Sequence, residues 1–156
     1  MGNNKGVTSK DRICIYGGGY AALMGVTREP ELYQCVIGSA GVYDLPLELD
    51  EADINDARAG ISFLKSTRGT DINALKNNSP VYNVSKIKVP LLLPHGTKGS
   101  RVPIEHLERL TKALDLKMHE YKKLVFENEG HGYANDDNRN KFYNTMLDFL
   151  KHYIGQ

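Results

Sequence analysis

Residues 13–25 read ICIYGGGYAALMG, a short apolar run that enters a helix-forming run through three glycines. Ile13, Cys14, Ile15 and Tyr16 are largely β-prone, whereas Ala21, Ala22, Leu23 and Met24 favour helix, so the change of state falls at Gly17, Gly18 and Gly19. The stretch predicts a strand, a tight turn and a helix. Turns of this kind carry chemistry because glycine lets a backbone approach a ligand, and the helix that follows offers unbonded N–H groups and a positive dipole end. The N–H groups of Gly18, Gly19 and Tyr20 are therefore expected to face an open pocket that suits an anion.

The same alternation continues outward from this stretch. Apolar, strand-like runs at 13–16, 33–37, 89–93 and 121–126 alternate with helical patterns at about 19–28, 104–115 and 137–153, which predicts an α/β protein with about four parallel strands. In the last helix Phe142, Met146, Phe149, Leu150 and Tyr153 form one apolar stripe, and Asp136 or Asp137 suits its N-cap. Residues 1–10 form a polar N-terminal segment. Residues 44–88 are a longer polar excursion with helical pieces near 50–65 and 71–77, lying over the strand ends where α/β proteins keep their sites.

Composition excludes several classes. The chain has 156 residues, 40% hydrophobic and 25% charged, which suits one globular domain. Its 20 basic and 19 acidic residues nearly cancel, and no basic cluster with interleaved aromatics suggests a nucleic-acid groove. No run of about 18 apolar residues and no charged-then-apolar leader is visible, so a cytoplasmic protein with no membrane partner is expected. Cys14 and Cys35 lie in separate strand-like runs without metal-ligand spacing and read as two buried free thiols; no metal and no cofactor is expected.

Five segments in fixed order carry a further signal: DRICIYG, GGYAALMGVTREPELYQCVIGSAGVYDL, SPVYNVSKIKVPLLLPHG, RVPIEHLERLTKAL and LVFENEGHGYANDDNRNKFYNTMLDFLKHY. Together, from Asp11 onward, they resemble the catalytic domain of the prolyl oligopeptidase family of serine peptidases, nearest its aminopeptidase and acylaminoacyl-peptidase branch. The resemblance implies a partial α/β-hydrolase fold. It begins at the family's fifth strand, so residues 11–156 correspond to the C-terminal half of that domain.

Carried over by residue, the resemblance implies a damaged catalytic triad. The family's E-G-H-G-F/Y histidine, a general base, falls on His131 within ENEGHGYAN. The acid position of H-G-x-x-D-x-R-V-P falls on Gly99 within HGTKGSRVP, and glycine cannot orient an imidazole. The family's elbow, roughly Y-G-x-S-x-G-G-Y, aligns with YGGGY so that three residues, the nucleophilic serine among them, are missing between Gly17 and Gly18. The oxyanion donor that follows the serine goes with it, and the second donor belongs to a loop after the family's third strand.

No other residue makes a convincing substitute. Ser39 follows a strand but precedes no helix start, Ser79 suits a turn or cap before Pro80, and Ser100 sits beside the lost acid. Glu127, Glu129, Asp136 and Asp137 read as solvated loop and helix-start charges. Gly17, Gly19 and Ala22 formally satisfy the dinucleotide fingerprint, but the acidic residue it needs about 20 positions on is absent from VIGSAG, and Asp44 comes late. The expected function is a catalytically inactive relative or fragment of a prolyl oligopeptidase-type peptidase, with a weak hydrolase using another nucleophile, or an anion- or nucleotide-binding module, as the alternatives. A peptide or anion is the expected ligand. The first strand, left without its inner neighbour, is expected to pair with a second copy in a homodimer.

Overall fold

The computed structural model describes residues 8–51 and 58–155. The polar segment 1–7 and the middle of the first helical piece of the excursion therefore lie outside the described residues. In chain order the elements are β1 (Cys14–Gly18), α1 (Gly19–Arg28), β2 (Cys35–Ser39), α2 (Leu45–Glu51), α3 (Arg58–Arg68), α4 (Ile72–Asn77), β3 (Leu91–Gly96), α5 (Ile104–Asp115), β4 (Tyr121–Phe126) and α6 (Asp136–Ile154), with short 3-10 turns at 10–12, 80–82 and 84–86. The four strands are parallel and lie in the order β1-β2-β3-β4, as the alternation of patterns predicts. β3 begins later than expected. Pro90 has no N–H to give to a ladder, and its carbonyl instead accepts from the Val36 N–H.

Strand periodicity sorts the side chains onto two faces. Val36, Leu91 and Leu93 pack with Leu23 and Val26 of α1 and Leu107, Leu110 and Leu114 of α5. Cys35, Ile37, Leu92, Leu124 and Phe126 face the other way, onto Phe142 and Phe149 of α6. β2 and β3 are buried almost throughout and β1 and β4 only partly, because the inner strands are covered on both faces and flanked on both sides. Burying one leucine in such a core contributes about 2 kcal/mol.

β1 has no partner on its outer side among the described residues. On the α6 side of that edge, Tyr16 and Tyr143 flank the buried Phe142 ring. Tyr16 is 54% exposed, Tyr143 48% and Leu147 50%, and the Tyr16 and Phe142 rings lie 6.2 Å apart. Residues 8–12 lead into β1. They are exposed or nearly so, and Arg12 Nε donates to the Ile154 carbonyl at 3.3 Å, at the far end of α6.

Two sequence expectations are corrected here. Cys14 and Cys35 are not free thiols: the register places them directly opposite, with Cα atoms 4.7 Å apart, and they are joined as a disulfide. The N-cap of α6 is neither Asp136 nor Asp137 but Asn135, whose side chain accepts from the N–H groups of Asp137 and Asn138. The two aspartates occupy the first turn, where the helix dipole favours their charge.

Candidate functional site

Parallel strands end at one edge of the sheet, and that edge gathers the glycine turn, the end of β2, and the loops 97–103 and 127–135. At the turn, a Cβ built on Gly17 or Gly18 meets nothing within 4 Å, so no side chain closes it. The turn's other end is tight. A Cβ on Gly19 would lie 2.6 Å from Gly41 Cα, and Tyr43 OH donates to the Gly38 carbonyl at 2.9 Å. Burial first of all raises the Tyr43 pKa, which keeps the phenol protonated for that bond. Between these glycines Ala40 adopts φ 42°, a left-handed conformation unusual for alanine, and its N–H donates to the Pro94 carbonyl. The turn expected to open onto a pocket therefore divides: a side chain at Gly18 would meet open space, whereas Gly19 is packed against the β2 loop.

His131 is exposed on the loop between β4 and α6. The loop is held by Glu129, which is not a solvated charge as its sequence context suggests. It is 5% exposed, and its carboxylate accepts from the Ala134 and Asn135 N–H groups at 2.8 and 3.0 Å and from Asn138 Nδ2 at 2.8 Å. The Asn138 bond, then the Ala134 bond, hold its pKa below the ordinary carboxylate value. The Lys98 N–H donates to the Glu129 carbonyl at 2.7 Å, which ties this loop to the loop bearing Gly99. The structure thus brings His131 and Gly99 into adjacent loops. A Cβ on Gly99 would meet the Val102 carbonyl at 2.9 Å, so the loop is shaped to glycine.

A pocket of about 230 Å³ lies beside His131, lined by Tyr16, Ser39, Tyr133, Arg139, Phe142 and Tyr143 among others. Ser39, discounted from sequence, lies in it, with its Oγ 3.0 Å from Tyr133 OH. The Tyr133 ring packs on Phe126 and Phe142, and burial, its largest cause, pushes its pKa up to about 12. Arg139 donates to the Tyr133 and Ala134 carbonyls and pairs with Asp136. Sequence reasoning singled out neither Tyr133, the residue two after His131, nor Arg139, one helical turn into α6.

Behind the Gly99 loop lies a polar network outside this pocket. Asp44, 1% exposed, pairs with Arg109 at 2.8 Å, and its backbone N–H donates to His106 Nδ1 at 3.3 Å. Asp44 is thus not available to a ribose, in keeping with the poor fit to the dinucleotide pattern. His95 Nε2 lies 3.0 Å from the Val102 carbonyl. His95 Nδ1 and His106 Nε2, both buried, have no hydrogen-bond partner among the described residues. Burial is the main cause that pushes the His106 pKa down to about 4, and it lowers that of His95 as well. Ser79 is also structural, donating to the Leu75 carbonyl and accepting from the Leu45 N–H.

The model of the prolyl oligopeptidase family, Peptidase_S9, matches residues 1–156. The chain belongs to the prolyl oligopeptidase family. Dipeptidyl aminopeptidase BIII of Pseudoxanthomonas mexicana is 30% identical over 159 residues, covering 97% of this chain and 23% of that protein. A puromycin-hydrolyzing peptidase of Mycobacterium tuberculosis superposes with a TM-score of 0.89 at 23% identity, over 99% of this chain and 24% of that one. Inactive dipeptidyl peptidase 10 of Rattus norvegicus is 25% identical, over 89% of this chain and 17% of its own length. The chain thus spans about a quarter or less of the length of the relatives it matches. The fold is that of the family's α/β-hydrolase domain, four parallel strands with flanking helices. No described helix is long and apolar enough to cross a membrane.

Proposed function

We propose that this chain is a catalytically inactive member of its family, corresponding to the C-terminal half of the hydrolase domain, that persists as a binding module for a peptide or anion. One observation carries the reading. The strand-to-helix turn aligned with the family's nucleophile elbow consists of Gly17, Gly18 and Gly19, with no serine in it and open space where a side chain at Gly17 or Gly18 would stand, and Gly99 aligns with the acid position. Loss of the nucleophile alone costs about a millionfold in a well-studied serine protease. His131 then has no elbow serine to activate. That a relative carries the name inactive dipeptidyl peptidase is consistent with such loss within the family. A fluorophosphonate probe tests the reading: no adduct and no turnover of aminoacyl or acyl-peptide anilides are expected, and a stoichiometric adduct on any serine refutes it.

A second reading has one observation in its favour. Ser39 shares a pocket with His131, so a weak hydrolase would use Ser39, and mass spectrometry of a labelled protein would find the adduct there. Neither reading depends on assembly. The β1 edge, unpaired among the described residues and with exposed Tyr16 and Tyr143 near it, supports a homodimer paired through β1, for which light scattering should give twice 17.4 kDa and Ile15→Pro the monomer. We place the protein in the cytoplasm, a reading against which the Cys14–Cys35 disulfide weighs, and thiol counting in fresh lysate tests it.

A further inference from the structure

The pocket beside His131 presents hydrogen-bond donors on an aromatic floor. Tyr16, Tyr133 and Tyr143 bring three phenols, Ser39 a hydroxyl, His131 an imidazole and Arg139 a guanidinium, while no carboxylate lines it among the described residues. The neighbouring carboxylates are already engaged. Glu129 accepts three hydrogen bonds from the loop beneath, and Asp136 pairs with Arg139. The Phe142 ring lies 6.2 Å from Tyr16, 5.1 Å from Tyr133 and 5.1 Å from Tyr143, so the phenols converge around one apolar base. Burial keeps the Tyr133 and Tyr16 hydroxyls protonated well above neutral pH, where they remain donors.

Such donors recognise an anion, here in exchange for the Ser39–Tyr133 bond and a share of the Arg139–Asp136 pair, and rings recognise an apolar body. From this arrangement we infer that the pocket binds a small carboxylate attached to an aromatic or large aliphatic group, such as the free C-terminus of a peptide ending in an apolar residue. The carboxylate sits among the Ser39 and Tyr133 hydroxyls, His131 and Arg139, and the side chain covers Phe142 between Tyr16 and Tyr143. The proposal deepens the binding-module reading and rests on it for the site's availability. It does not rest on the glycine turn.

The test is calorimetric titration of the full chain with N-acetyl-glycyl-phenylalanine, with the same dipeptide as its C-terminal amide, and with phenylacetate, followed by NMR of protein carrying labelled tyrosine. The acid is expected to bind roughly tenfold more tightly than the amide and to shift the Tyr16, Tyr133 and Tyr143 signals. Tighter binding of the dipeptide than of phenylacetate assigns the carboxylate to a peptide end, and the reverse to a free acid; either bears out the carboxylate site. Tyr133→Phe keeps the ring packing and should weaken the acid by about tenfold while leaving the amide unchanged. Arg139→Gln should act likewise, with Arg139→Lys restoring part of the loss and thermal melting confirming that each variant is folded. Equal affinity for acid and amide, absence of saturation at millimolar concentrations, or saturation without shifts at the pocket tyrosines overturns the proposal. Fluorophosphonate labelling would refute catalytic inactivity without touching this result, so the two failures are separable.

Discussion

Acidification should destabilise this protein through one buried imidazole. In the folded chain His106 is fully enclosed, accepts the Asp44 N–H at Nδ1, and has its pKa pushed from 6.5 down to about 4. Burial is the chief cause; Asp44 and Glu105 act in the opposite sense, and His95 and Arg109 reinforce it. Because the folded pKa lies below the unfolded one, the folded state binds fewer protons between these values. Stability is then complete above about pH 6.5 and is lost as the pH falls towards 4. The gap between 6.5 and about 4, at about 1.4 kcal/mol per pH unit, corresponds to roughly 3.5 kcal/mol, of which about 3 is lost by pH 4, a large share of the stability of a small domain. Urea melts at pH 7 and pH 4 should show that loss, and His106→Asn, which keeps an acceptor for the Asp44 N–H, should remove most of it. Some slope will remain, since the His95 pKa is lowered for the same main reason. An unchanged pH slope in His106→Asn, or an NMR titration placing His106 near its ordinary value, would refute the reasoning.

Glu129→Ala should release the His131 loop, seen as amide exchange at Ala134 and Asn135 faster by roughly tenfold or more, while Glu127→Ala on the exposed side of the same loop leaves those amides unchanged. Gly41→Ala should cost upward of about 2 kcal/mol in chemical denaturation, because the new methyl meets both the Gly19 backbone and the buried Tyr43 ring at about 2.5 Å, and neither can move aside freely. Gly99→Asp should lower stability by about 1–3 kcal/mol through its contact with the Val102 carbonyl. Combined with a Gly-Ser-Tyr insertion after Gly17 it should still give little anilide turnover, since the insertion restores the donor that follows the serine but not the one from the third-strand loop; substantial turnover would contradict this.

Much of the fold was legible because its signals are local. The change from β-prone to helix-forming residues across Gly17–Gly19, and the stripe Phe142, Met146, Phe149, Leu150, Tyr153, announce β1, α1 and α6 without any knowledge of what they pack against. The ordered segments likewise marked the family. Asn135 as the cap, in place of its acidic neighbours, lay within the reach of sequence, since the three adjacent residues differ only in which one leaves the helix.

What remained depends on contacts between residues far apart in the chain. Cys14 and Cys35 meet because β1 and β2 pair in one register, and a shift of one residue would have left them on opposite faces. Glu129 looks solvated in sequence, yet residues 134–138 turn over it and supply its donors, two backbone N–H groups and the Asn138 side-chain amide. Tyr16, Ser39 and Tyr133 belong to a strand, a strand end and a loop that share a pocket only once β1, β2 and α6 are assembled. The buried pair His95 and His106, on β3 and α5, follows from the same assembly. Periodicity along a chain reports which face of an element is apolar, but register and loop closure decide which polar groups that face encloses and with whom they pair.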